Sequence, residues 1–329
     1  MLNLFPLQPT SFKMPFFYTM THAVMPFLLT LCAAIFWGAN FNAGKILVNY
    51  FDPLHLVAIR FLCSLLCILP VILLTKARSI FIPTFKQNFG VYVLLSFIGI
   101  IGYNGFVFEG VKYTSSVNAA LIMATNPPLT MFFAALILQE KMNSSQKLGA
   151  MISLLSVAVV ITQGSIQALL QLQFSFGDLI VMLANICWAF YNVVSKRYLK
   201  DSMPLITTTS TMLISTILLL IIGGAGQMEA FHNLFKQTSA VYYPLIYMVV
   251  LGTVAAYLFW NYGISRLGAG KAAIFFNLIP IVATVISFFQ GQTVSAIQII
   301  GGLSVIFGVL LSTKVISFRK KQIAFAQPA

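Results

Sequence analysis

Trp37-Gly38-Ala39-Asn40-Phe41-Asn42-Ala43-Gly44-Lys45 returns later in the chain as Trp188-Ala189-Phe190-Tyr191-Asn192-Val193-Val194-Ser195-Lys196. The two stretches share their ends, and the offset between them, 151, also relates Pro53 to Pro204. Farther on, Gly99, Gly110, Pro127 and Gly149 meet Gly252, Gly263, Pro280 and Gly302 at an offset of 153. The chain is therefore a duplication, and each copy holds five apolar runs long enough to cross a bilayer. An odd number of spans turns the second copy upside down. Inverted repeats recur among secondary transporters, with the solute site at the repeat interface near mid-membrane.

Composition leads to the same class. Of 329 residues, 59% are hydrophobic and 8% charged, whereas a soluble domain carries about 25% charged residues. A bilayer is the solvent that suits such a chain, and the expected fold is an all-α membrane protein of ten transmembrane helices. With about 20 residues needed per span, the runs fall at 25–49, 54–75, 88–109, 116–138, 147–163, 177–199, 204–223, 240–262, 271–290 and 295–316. The expected organisation is an N-terminal segment 1–24, a first repeat 25–163, a second repeat 177–317 and a basic tail 318–329. The first segment lacks a charged stretch followed by a cleavage site and is not read as a signal peptide. Met14, Met20 and Met25 leave the true start open.

The formal charge of +13 would suggest nucleic acid in a soluble protein. Here the charges sit in short loops and the tail, with no basic stripe interleaved with aromatics, so no nucleic-acid partner is expected. With the N-terminus inside, fifteen of the nineteen Lys and Arg residues face the cytoplasm, and Lys45, Arg60, Lys112 and Lys236 remain on the other half. The positive-inside rule then places both termini in the cytoplasm of a multi-pass cell-membrane protein, a bacterial inner membrane being expected. Cys32, Cys63, Cys67 and Cys187 fall inside apolar runs and read as small core residues. His22, His55 and His232 are far apart in sequence. No catalytic centre, metal site, cofactor or phosphate-binding loop is expected, so transport would draw on a coupling proton, a counter-solute or the solute's own gradient.

Further motifs follow the same order in the chain. Ala33-Ala34-Ile35-Phe36-Trp37-Gly38-Ala39-Asn40-Phe41 is followed, after Pro53, by Ala58-Ile59-Arg60-Phe61. Then come Gly110-Val111-Lys112-Tyr113-Thr114-Ser115, Asn118-Ala119-Ala120-Leu121, Pro127, Gln139-Glu140-Lys141 and Gly149, and the second copy opens with Gly177-Asp178-Leu179. In order, spacing and duplication, residues 25–317 resemble the drug/metabolite transporter superfamily in its EamA-type, ten-helix form. That resemblance implies two inverted five-helix bundles around a central cavity, alternating access and a small organic solute. It also implies export. One departure stands out: the mate of Glu140 is Thr293, which argues against a symmetric pair of carboxylates gating the two sides.

Candidate solute contacts are polar or aromatic residues that cannot face lipid cheaply. Trp37, Asn40 and Phe41 share one helical face, and Trp188, Tyr191 and Asn192 share the equivalent face. Tyr103 and Asn104 on the third span and Trp260 and Asn261 on the eighth extend this lining. Asn118 and Asn126 on the fourth span and Asn277 on the ninth lie near Pro127 and Pro280, which free backbone carbonyls and are read as hinges. The same residues also fit ordinary packing between helices, and the prolines fit static kinks. The composition of this lining suits a neutral or zwitterionic solute such as an amino acid. Arg60, inside the second span, reads either as a counter-charge for an anionic solute or as a structural residue bonding helix-end carbonyls. Glu109 reads as a proton-responsive group or as an interfacial partner of Lys112. The small residues of the fifth and tenth spans, Gly149, Ser153, Ser156, Gly301, Ser304, Gly308 and Ser312, read as packing or homodimer faces.

Overall fold

A computed structural model describes residues 16–291 and 293–313, with side chains from Val24 onward except at Phe41, Ser116 and Val117. The expected tail 318–329 and most of the segment 1–24 lie outside the described residues; the backbone is helical from Phe16. Among the described residues, nine helices have the length and apolarity of a membrane span, and a tenth is shorter. They are α1 (Val24–Leu47), α2 (Pro53–Leu74), α3 (Phe89–Gly110), α4 (Asn118–Leu138), α5 (Ser144–Thr162), α6 (Phe176–Leu199), α7 (Pro204–Leu234), α8 (Ser239–Leu267), α9 (Ala269–Phe289) and α10 (Ala296–Ser312). The described residues contain no strand, as a bilayer requires of anything but a closed barrel.

Polar caps mark where several helices leave the apolar phase. Asp52 accepts the Leu54 amide at 2.9 Å to start α2. Capping boxes of Asn143 with Gln146, Ser175 with Asp178 and Ser295 with Gln298 start α5, α6 and α10. Each box satisfies two of the backbone N–H groups that a helix start leaves free.

The most extensive contacts join the repeats in matched pairs: α1 with α8 and α6 with α3, α1 with α9 and α6 with α4, α2 with α7, and α5 with α10. Small residues set the last of these. A Cβ on Gly149 would collide with the Gly308 carbonyl oxygen and with Ser312, and one on Gly301 would lie 2.7 Å from Val160 Cγ2. The small-residue faces therefore pack within one chain.

Three features depart from the expected spans. The seventh span, expected to end at residue 223, turns at Gly224 (φ 53°) and resumes as helix to Leu234. There Ala230 and Leu234 pack with Phe51, Leu56 and Val241. An 11-residue helix, Ala77–Gln87, fills the connection between α2 and α3. Finally, α3 and α8 are interrupted by π-helical turns at Ser96–Gly102 and Val250–Ala255, which are related by the repeat.

Candidate functional site

The two π-helical turns are where the repeats cross. Gly252, in the second, lies so close to α1 that an added Cβ would run into the Asn40 amide. Its mate Gly99 lies equally close to the Tyr191 ring of α6. Asn40 and Tyr191 occupy equivalent positions, so each opening helix crosses the third helix of the other copy at a glycine. The crossing requires the glycine because only a missing Cβ permits that approach.

The aromatic residues named from the sequence meet here. Trp37 packs against Trp260, Trp188 and Tyr257 with ring centroids 4.9, 5.4 and 5.6 Å apart. Trp188 stacks flat on Tyr191 at 5.0 Å and meets Tyr103 at 5.1 Å. All three tryptophans of the chain are therefore in one cluster. Tyr257, Phe276 and Phe61 complete it. Tyr257 shares the face of Trp260 and was legible by spacing; Phe276 gave no signal beyond its place one turn before Pro280.

Polar groups thread through these rings. Trp37 Nε1 and Asn40 Nδ2 both donate to the Gly252 carbonyl at 3.1 Å, inside the π-helical turn. The mate of that first bond is missing: Trp188 Nε1 is buried without a partner. Trp260 Nε1 donates to Asn192 Oδ1 at 2.9 Å, Tyr191 OH to Asn261 Oδ1 at 3.0 Å, and Asn261 Nδ2 to Thr208 Oγ1 at 3.0 Å. Thr208 belongs to a buried run, Thr207 to Thr211, that sequence reasoning passed over because hydroxyls within an apolar helix carry little periodic signal. Arg60 donates from Nη2 to Asn104 Oδ1 at 3.3 Å and lies over the Phe61 ring.

Three named amides lie elsewhere. Asn126 Nδ2 donates to Asn185 Oδ1 at 2.7 Å, and Asn185 Nδ2 to the Ile122 carbonyl at 2.8 Å. These bonds clamp α4 to α6 where α4 breaks at Thr125, ahead of Pro127. Asn185 was missed, since nothing in α6 marks it apart from its neighbours. Asn277 donates to Ser153 Oγ at 3.0 Å from a 3₁₀ turn, Phe275–Leu278, ahead of Pro280. Asn118 donates to both Asp178 oxygens, at 3.1 and 3.2 Å, in a network with Thr114 and Ser175 that ties the α3–α4 turn to the start of α6. Phe41 lies on the α1 backbone with its side chain outside the described ones.

Glu109 is at the surface, 2.7 Å from Lys112 Nζ. That bond holds the Lys112 ammonium above its ordinary value. An exposed pair of this kind contributes little to stability, because water screens it.

Burial divides the cluster by end. Trp188, Tyr191, Asn192, Trp260 and Asn261 are buried, toward Lys196; Trp37, Asn40, Arg60, Tyr103 and Asn104 are only half-buried, toward Lys45 and Lys112. Lys196 Nζ donates to the Ser265 carbonyl at 2.7 Å and Arg197 Nη1 to the Ile137 carbonyl at 2.5 Å, so α6 is fastened to the ends of α8 and α4. The first half of α9 packs on the second half of α4 and is buried from Ala272 to Ile279. The first half of α4 has no comparable packing with the second half of α9, whose residues from Pro280 onward are half-buried or exposed. The bundle is sealed at the Lys196 end and parted at the other.

Ten apolar helices among the described residues, an inverted duplication and a polar, aromatic crossing that is half-buried toward one end define a membrane transporter. Comparison with known proteins agrees. The model of the EamA-like transporter family matches residues 24–162 and again 175–314, and the chain belongs to that family. It is 40% identical over 294 residues to "Uncharacterized transporter YyaM" of Bacillus subtilis (strain 168), covering 89% of this chain and 95% of the relative. It is 24% identical over 305 residues to a "Probable amino-acid metabolite efflux pump" of Salmonella typhimurium, covering 90% of this chain and 96% of that one. A solved crystal structure aligns with a TM-score of 0.71 at 18% identity, over 88% of this chain and 97% of that chain.

Proposed function

We propose that the protein is a secondary-active exporter of a small organic metabolite of the amino-acid class, working by alternating access at the crossing of α1, α3, α6 and α8. The observation that carries this reading is a set of four buried polar atoms at the crossing without a partner: Asn40 Oδ1, Arg60 Nε, Trp188 Nε1 and Asn192 Nδ2. Each such atom costs about 1–3 kcal/mol in a finished core. A crossing that served packing alone would be more stable with apolar side chains there. A solute bearing both donors and acceptors satisfies them, and the surrounding rings accept its apolar part.

The sealed end carries Lys196, Arg197, Lys200 and Arg266. The positive-inside rule assigns that end to the cytoplasm, so the parted end faces outward. Export as the direction is supported by the similarity to the Salmonella protein named as a probable efflux pump. The driving force is an ion gradient, by proton or counter-solute, or the solute's own gradient.

The test is flux of L-leucine in proteoliposomes, followed by a wider metabolite panel. Wild-type protein is expected to move a panel member above the rate of empty vesicles. Asn40→Ala and Asn192→Ala are expected to lower that flux while the protein still elutes as a folded species. Full flux in both variants would show that the solute passes elsewhere, and flux at background for every panel member would favour a non-transporting membrane scaffold.

A further inference from the structure

Arg60 sits about two turns into α2, where a charge without a counter-ion is costly. Its Cζ lies 5.0 Å from the Phe61 centroid, Phe61 meets Tyr257 at 5.9 Å, and Tyr257 meets Trp37 at 5.6 Å. The guanidinium is therefore part of the aromatic cluster, on its half-buried side. One donor, Nη2, reaches Asn104 Oδ1 at 3.3 Å. Asn104 is fixed in that orientation, because its Nδ2 donates to the Ile100 carbonyl of the π-helical turn at 2.6 Å. Arg60 Nε is buried without a partner. Among the described residues, no Asp or Glu oxygen lies within 4.0 Å of the guanidinium.

The structural reading of Arg60 requires helix-end carbonyls as acceptors. Its hydrogen-bond partner is instead a side-chain amide. A guanidinium offers five N–H groups in a planar fork that matches a carboxylate. A neutral amide oxygen at 3.3 Å satisfies one of them.

We propose that Arg60 is the receptor for a carboxylate on the transported solute. The carboxylate oxygens accept from Nε–H and the remaining guanidinium N–H groups, Asn104 sets the angle of the fork, and the apolar part of the solute lies against Trp37 and Tyr257. This inference rests on reading the crossing as the solute site. The ligand class is a small organic carboxylate: an α-amino acid is one source, and an organic anion without an amine is the other.

The placement of all three tryptophans in the cluster supplies the assay, since intrinsic fluorescence then reports this site alone. Full-length protein in lipid nanodiscs is titrated with L-leucine, L-leucinamide and 4-methylpentanoate. A saturable change is expected with a carboxylate-bearing probe and not with leucinamide. Arg60→Gln is expected to raise the Kd by at least about tenfold, the loss of one charge-assisted contact. Arg60→Lys keeps the charge without the fork and is expected to fall between the two; native elution and emission spectra of both variants establish that they are folded.

A response to L-leucine alone assigns a zwitterion. A response to 4-methylpentanoate alone assigns an organic anion, which keeps Arg60 in its role while removing the amino-acid class proposed above. The proposal is overturned if leucinamide binds as tightly as leucine, or if Arg60→Gln leaves the Kd unchanged. It is also overturned if neither carboxylate responds up to about 10 mM, an order above the usual ceiling for KM. The flux assay decides the transport reading separately.

Discussion

The two ends of the bundle are made by equivalent positions of the same five-helix unit, yet the contacts that fasten α6 to α8 at one end are missing between α1 and α3 at the other. At the Lys196 end, Tyr191 bonds Asn261, Asn192 bonds Trp260 and Lys196 bonds the Ser265 carbonyl, so α6 is zipped to α8. The offsets of 151 and 153 carry those pairs to Asn40 with Phe108, Phe41 with Val107, and Lys45 with Lys112. There α1 makes no comparable packing with α3, and Lys45 is exposed. What holds the Lys112 end together is the Asp178 network between the α3–α4 turn and α6. Its equivalent positions at the Lys196 end include Phe27, which packs edge-on against Phe275. The polar Asp178 network at one end thus corresponds to an apolar contact at the other. The lesson is that equivalent positions of one repeated unit can hold its two ends by different contacts.

The comparison breaks most sharply at the two crossing glycines. Gly252→Ala drives a Cβ into Asn40, and Gly99→Ala drives one into Tyr191; each is expected to cost about 1–3 kcal/mol and to abolish flux, which vesicle uptake and thermal unfolding would check together. Asn192→Ala comes next. It leaves the buried Trp260 N–H without its acceptor, and a penalty of about 1–3 kcal/mol against the sealed state is expected to raise labelling of a cysteine placed at Ser265.

Lys196→Met removes one hydrogen bond from a half-buried side chain. It is expected to shift the balance between the two ends by about tenfold or less, seen as faster labelling at the same position. Glu109→Gln is the smallest change. It removes an exposed ion pair, and both stability and flux are expected to stay at wild-type values; a steep loss of proton-driven flux would instead give Glu109 the coupling role.

Much of this molecule is legible before any coordinates. The Trp-to-Lys spacing repeated at one offset gives the duplication, and an odd number of spans gives its inversion. Because Trp37 and Trp188 are equivalent, inversion brings them to one crossing, where they meet at 5.4 Å. The asymmetry of the ends is not legible, because it lies in how far apart helices of like composition stand rather than in what they contain. The π-helical turns are hidden too, since one extra residue in a helical turn leaves a continuous apolar run unchanged. Asn118 and Asn126 read alike as intramembrane amides, yet one serves a cap network and the other a clamp. Their partners, Asp178 and Asn185, lie 60 and 59 residues away, beyond the reach of local periodicity. The seventh span reads as ending at residue 223 because Gly223-Gly224-Ala225-Gly226 looks like a break, whereas only Gly224 takes a positive φ and helix resumes beyond it.

The central claim is that one end opens as the other closes. It is tested most directly by electron–electron distance measurements on two spin-labelled pairs, with Cys32, Cys63, Cys67 and Cys187 replaced beforehand. Lys112 with Gln290 spans the parted end, and Lys141 with Arg266 spans the sealed end; all four are exposed. On adding a transported solute or reversing the proton gradient, the first distance is expected to shorten in the same fraction of molecules in which the second lengthens. Distances that stay fixed, or that lengthen together, would contradict an alternating-access carrier built on these two unlike ends.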